Sequence, residues 1–271
     1  MSLEVASISK AASQPDPLSA LLVSGNSFAT NSRLFADTRP VSAVLPLHVS
    51  PTCPLDQILI GFFNSHRNIL SRGMLLETVI GPQKASVKAL VHTELSHSVH
   101  PLTKVMSEVM STYPYVGKPE QLALFYLMHQ TMRASNFLRM ILVSTNLSIQ
   151  WQISPTKENY IFMPAWLRPT VTQITVPHAA WIDNVPWPGV RDLLIEQPED
   201  YPYRLWTENF TQNVSVNWKF DLSDALSETD NEIVLHSIFE KHIRKLKNWT
   251  VSSNFARIVP NLMPAINSRD Y

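Results

Sequence analysis

The chain has 271 residues, 45% of them apolar and 16% charged, enough for a substantial core in one large domain accompanied by a tail. Twenty-two basic and twenty-two acidic residues cancel, so no bulk positive field attracts phosphate, and any DNA contact would need a local patch. The single cysteine, Cys53, excludes an internal disulfide and a Cys-x-x-Cys zinc site, which suits a reducing compartment, and with six glycines there is no Gly-rich phosphate loop.

The N-terminus carries Glu4 and Lys10 and has no continuous apolar run of the secretory kind, so the Asn-x-Ser/Thr matches at Asn146, Asn209, Asn213 and Asn248 carry no weight. The most apolar stretch, Phe137 to Val143, is broken by Arg139 and falls well short of the roughly 20 residues that a membrane helix needs. No membrane association is expected.

Residues 1–42 are rich in Ser, Ala, Asn and Pro and read as a disordered tail, with a helical domain over 43–271. From Leu55, the spacing of Leu55, Ile58, Leu59, Phe62, Ile69 and Leu70 predicts a helix, with Gly73 placed to cap it. Pro101 opens a second helix, in which Leu102, Val105, Met106, Val109, Met110 and Tyr113 form one stripe, and Pro114 stops it. A third starts at Pro119 with Leu122, Phe125, Tyr126 and Met132 on its buried side and Glu120 at the positive end of the dipole.

Trp151 to Ile195 cannot be one helix, because Pro155, Pro164, Pro169, Pro177, Pro186 and Pro188 interrupt it. It holds four of the seven tryptophans, so it reads as a long irregular loop pinned on the helices by aromatic anchors. Within it, Pro188 can open a short helix that turns Val190, Leu193 and Leu194 inward. Thr229 with Glu232 makes a capping-box pattern for a longer helix reaching Lys247, with Leu235, Phe239, His242 and Leu246 on one face. Strand signals are few and short. The fold class is therefore mainly α, a single helical domain carrying a long Trp/Pro-rich loop.

The pattern W-Q-I-x-P-T-x-E-N-Y, then M-P-x-W-L-R-P-T, then Q-x-x-x-P-H-x-x-W-I-D-x-x-P-W-P-x-x-R-D-x-L-I resembles the signature of a fungal domain of unknown function. That domain is commonly found C-terminal to a basic leucine zipper in transcription regulators. The resemblance extends outward through Pro54 to Leu59, His100 to Leu102, Phe239 to Arg244 and Asn248 to Val251, so it covers about residues 45 to 265.

Two departures stand out. Residues 1–66 hold only Lys10, Arg33 and Arg39 as cations, with no basic run and no leucine heptads, so the chain either works without a zipper of its own, acts through a partner, or is a gene model truncated at its start. Family members also pass from Met132-Arg133 almost directly to Trp151, whereas here residues 134–150 intervene. They are either a translated retained intron or an insertion that prolongs the third helix through Phe137, Leu138, Ile141 and Leu142.

The signature residues Trp151, Trp166, Arg168, Pro169, His178, Trp181, Asp183, Trp187, Arg191 and Asp192 are the candidate site. A His beside carboxylates can act as a general base or a metal ligand, but the spacing fits no nucleophile or metal motif. Structural roles are expected instead: His178 bonding the loop and orienting Trp181, Asp183 receiving backbone N–H groups near the Pro186 turn, Arg191 pairing with a carboxylate. The indoles of Trp166, Trp181 and Trp187 could line a ligand pocket and are read as core.

His92, His97 and His100 do not share one helix face and are read as surface or capping residues. Lys241, Arg244, Lys245 and Lys247 form the densest basic cluster, in place to favour the negative end of a helix. No catalytic residue, cofactor or metal is expected.

What the resemblance implies is a regulatory, protein-interaction module in the nucleus, with the cytoplasm as an alternative, controlling a metabolic or secondary-metabolite pathway. Its partner would be a protein, such as a DNA-binding regulator, since this chain has no DNA-reading element of its own. The competing reading is a small-molecule sensor or enzyme using a pocket near His178, Trp181 and Asp183. A roomy cavity there would favour the second reading, and a filled core beneath exposed apolar side chains would favour the first.

Overall fold

The computed structural model describes residues 46–70, 81–92, 94, 98–143, 163–229 and 231–266, all within the unit Leu45–Tyr271. The expected tail 1–42, Trp151 and the rest of 144–162 lie outside the described residues.

The architecture is mainly α. Helix α1 (Pro54–Leu70) begins at a proline, whose missing N–H costs nothing in the first turn, and buries Asp56, Leu59 and Phe62 at three-residue spacing. After the short α2 (Lys88–Val91), α3 (Pro101–Ser111) starts at Pro101, with His100 as N-cap accepting the Leu102 N–H on Nδ1 at 3.1 Å. Helix α4 (Lys118–Val143) is the central member and packs against both α1 and α3. Every residue from Leu122 to Met128 is buried, so this helix has no solvent face there and is surrounded rather than laid on a surface. It continues unbroken through the first ten residues of the segment 134–150.

The region expected as an irregular loop is a chain of short helical turns in its described part. A 3-10 turn (Ala165–Leu167), α5 (Val171–Thr175), a second 3-10 turn (Ala180–Asn184) and α6 (Pro188–Glu196) follow one another, each ended near a proline. The second turn packs on α1, α4 and α6. Helix α7 (Tyr203–Asn213) and α9 (Ser253–Ile258), neither anticipated from spacing, pack together through Trp206, Phe210 and Phe255, with Trp206 and Phe210 stacked at 4.7 Å.

The long helix expected from Thr229 to Lys247 does not form. Strand β1 (Val214–Ser215) pairs antiparallel with β4 (Thr250–Val251), and β2 (Leu226–Glu228) pairs antiparallel with β3 (Ile233–Leu235). The Thr229 N–H and hydroxyl both donate to the Glu232 carbonyl, at 2.9 and 3.1 Å, so the capping-box pair closes a hairpin instead. Only Ser237–Ile243 becomes helix, α8, followed by a 3-10 turn at Leu246–Asn248. Leu235 therefore lies in a strand and shares no helix face with Phe239. Glu120 joins α4 to the small sheet by accepting from the Ser215 hydroxyl and the Val216 N–H.

Candidate functional site

The site is assembled on a length of extended chain. Thr170 and Gln173 form a reciprocal capping box at the start of α5, which fixes the Gln173 side chain before the segment Val176 to Ala179 runs out extended. Residues 47–49 lie parallel to this segment: Leu47 N–H donates to the Gln173 carbonyl, His178 N–H to that of Leu47, and Val49 N–H to that of His178. Alternation along extended chain sends Leu47 and Val49 outward and His48 inward.

Three donors meet on Asp183. His48 Nε2 lies 2.7 Å from Oδ2, His178 Nε2 lies 3.0 Å from Oδ1, and Gln173 Nε2 donates to Oδ1 at 2.5 Å. The two imidazoles meet edge to face with centroids 5.4 Å apart. Side-chain exposure is 5% for His48, 1% for His178 and 11% for Asp183, so the cluster is dry. Burial works against ionising Asp183, but the hydrogen bonds from His178 and His48, together with their charges, outweigh it and hold the carboxyl well below its usual range. Burial likewise opposes the His178 imidazolium, yet its bond to Asp183 raises the pKa overall.

Arg191 is fully buried and uses all five of its N–H groups. Nε donates to Gln173 Oε1, Nη1 to the carbonyls of Val185 and Pro186, and Nη2 to those of Trp166 and Arg168. The expected carboxylate partner is replaced by backbone carbonyls that the proline-interrupted chain leaves without a ladder. Burial lowers its pKa to about 10, opposed by the charges of Asp183 and Asp192. Asp183 likewise takes side-chain donors rather than backbone N–H groups. The role foreseen for it belongs to Asp56, which accepts the Trp181 N–H and the Thr52 N–H. Asp192 accepts from the Thr170 hydroxyl at 2.5 Å.

His178 also bonds the loop through Nδ1, 2.8 Å from the Val176 carbonyl, whereas the Trp181 ring is set by Tyr203 and Trp206 at 5.4 and 6.2 Å. Trp181 and Trp187 are buried, and Trp166 is half-buried, its Nε1 donating to the Arg244 carbonyl at 2.9 Å. Pro169 lines a cavity of about 20 Å³ that reaches Gln173, Asp183 and Thr131. That volume holds a single water. A groove of about 60 Å³ runs past Trp181, and a larger cavity of about 160 Å³ lies away from the signature, between Phe125, Tyr126, Val234, Leu235 and Arg244.

The other candidates separate. His100 caps α3, His92 lies 3.6 Å from Glu94 at the surface, and His97 is outside the described residues. Arg244 donates to the Tyr126 hydroxyl and pairs with Glu240, while Lys241, Lys245 and Lys247 are exposed. Sequence reasoning missed His48, Gln173 and Asp56. The alternation Leu47-His48-Val49 was the available signal for an inward-facing histidine, and it is too short to stand out. No described helix is long and apolar enough to cross a membrane.

No curated protein and no solved structure matches the chain. Residues 146–269, a segment that spans the whole Trp/Pro signature and the described site residues except His48 and Asp56, match the family model described as Domain of unknown function (DUF3425).

Proposed function

We propose that the chain is a protein-interaction module of the transcription-regulator type, acting in the nucleus through a protein partner that reads DNA itself. The observation that carries this reading is the outward face of the paired segments around the site. Leu47, Val49, Val171 and Val176 stand 44, 37, 69 and 39% exposed on backbone that is hydrogen-bonded together and anchored by the buried Asp183 cluster. Apolar side chains held out on a rigid edge suit a partner surface, because they lose no backbone freedom on docking. The cavity beside Asp183 has room for one water, which gives a ligand-sized effector no place there. The even charge balance favours a protein over nucleic acid as the first contact.

The test tethers the full chain to a reporter promoter through a foreign DNA-binding domain. Reporter output should change several-fold, and V171D with V176D should return it to baseline with an unchanged melting temperature. Val171 is the first residue of α5, where an aspartate suits the helix dipole, so the substitution spares the fold. Unchanged output from the tethered chain rules the reading out.

A further inference from the structure

We propose that His48, His178 and Asp183 bind a divalent first-row transition metal ion, with two imidazole nitrogens and one carboxylate as its protein ligands. One ring nitrogen from each histidine and a carboxylate oxygen all lie within 4.8 Å of one another. Ligands about 2.0–2.2 Å from a common ion lie roughly 3 Å apart when they meet near right angles. His48 Nε2 lies 2.7 Å from Asp183 Oδ2 and His178 Nε2 lies 3.0 Å from Oδ1, so each histidine matches that spacing with its own oxygen of the carboxylate.

The second nitrogen of His178 leaves Nε2 as the atom that faces the cluster. Its Nδ1 sits 2.8 Å from the Val176 carbonyl, which can only accept, so Nδ1 carries a hydrogen. In the neutral ring Nε2 then presents a lone pair, aimed at a carboxylate oxygen 3.0 Å away. Two lone pairs face each other unless a cation stands between them. In the hydrogen-bonded cluster a proton on each Nε2 fills that place, and a metal ion that displaces the protons would engage both histidines and the carboxylate at once.

The surroundings have the character of a metal's outer shell. Val176 fixes the tautomer of His178, Gln173 Nε2 holds the carboxylate, and Arg191 Nε in turn holds Gln173. Imidazole with carboxylate selects zinc, iron, nickel or copper over magnesium and calcium, which prefer all-oxygen sets. An ion here would fasten residues 46–49 to the signature.

The experiment takes the full chain, stripped with a chelator, and titrates it with Zn2+ by calorimetry, with Mg2+ as the contrast. One Zn2+ per chain should bind and raise the melting temperature, and Mg2+ should not. H48Q, H178Q and D183N should each weaken Zn2+ at least 100-fold, whereas H92Q, at an exposed histidine, should leave it unchanged. Absence of stoichiometric Zn2+ binding, or equal binding by D183N and the unchanged chain, overturns the proposal. If the variants do not fold, Co2+ added to the unchanged chain decides. A visible d–d spectrum of four- or five-coordinate, imidazole-ligated cobalt, saturating at one equivalent, supports the site, and the spectrum of hexaaqua cobalt refutes it.

Discussion

The carboxylate of Asp56 accepts the backbone N–H of Trp181 at 2.8 Å, joining the first turn of α1 to the 3-10 turn of the signature across 125 positions. Its other oxygen takes the Thr52 N–H at 3.0 Å and the Thr52 hydroxyl at 2.6 Å, and the residue is fully buried. One carboxylate thus satisfies three donors, of which the Trp181 N–H is buried and the two of Thr52 lie at the surface.

Asp56→Ala should therefore cost about 3 kcal/mol, since it removes three bonds to the carboxylate and orphans the buried Trp181 N–H. Asp56→Asn keeps the shape and one acceptor oxygen and should cost less. Urea unfolding midpoints at constant slope measure both, and an unmoved midpoint for the alanine variant would contradict the assignment.

Arg191→Lys keeps the charge and loses the planar fork. With three donors on a flexible stem it cannot reach Gln173, Val185, Pro186, Trp166 and Arg168 together, so a loss of about 3 kcal/mol is expected. Hydrogen exchange should quicken in the turns around residues 165–168 and 185–187 before it does in α4. Uniform protection would count against the clamp.

Trp181→Ala should destabilise by about 3–5 kcal/mol, because its ring fills the space between Tyr203 and Trp206. Trp187 and Trp249 make a matched pair, 1% and 0% exposed, that differ at the indole N–H. Trp249 Nε1 donates to the Ile243 carbonyl at 2.7 Å, while Trp187 Nε1 has no acceptor. Trp249→Phe should then cost about 1–2 kcal/mol more than Trp187→Phe, as thermal unfolding of the two variants would show.

His129 gives a pH signature. It is 1% exposed with neither ring nitrogen hydrogen-bonded, and burial, reinforced by the charges of Arg133 and His100, lowers its pKa to about 3. The unfolded chain takes up this proton near pH 6.5 and the folded chain does not until about pH 3. The contribution is whole above pH 6.5 and is lost as pH falls toward 3, at up to about 1.4 kcal/mol per pH unit. In His129→Leu the acid loss should shrink by that slope, with stability at pH 7 equal or higher. Parallel pH profiles for the two proteins would exclude it.

The sequence by itself determined the elements whose signals are local. Apolar residues at three- and four-residue spacing placed α1, the same spacing behind a first-turn proline placed α3 and α6, and the scarcity of strand patterns gave the mainly α class. The six prolines of 151–195 were enough to rule out a continuous helix there, and the Trp, Pro and His positions were enough to indicate the domain. Thr229 and Glu232 misled because a capping box and a tight hairpin turn place the same residue types three apart, and only pairing of β2 with β3 separates them. The partners of the buried charges were decided by tertiary structure alone. Burial makes an ionised side chain take whichever groups the fold brings within 3 Å, so Asp183 meets His48 from 135 positions away and Asp56 meets Trp181 from 125. Such meetings leave no periodic trace in the chain, because they depend on where the backbone goes between the two residues and not on what either one is.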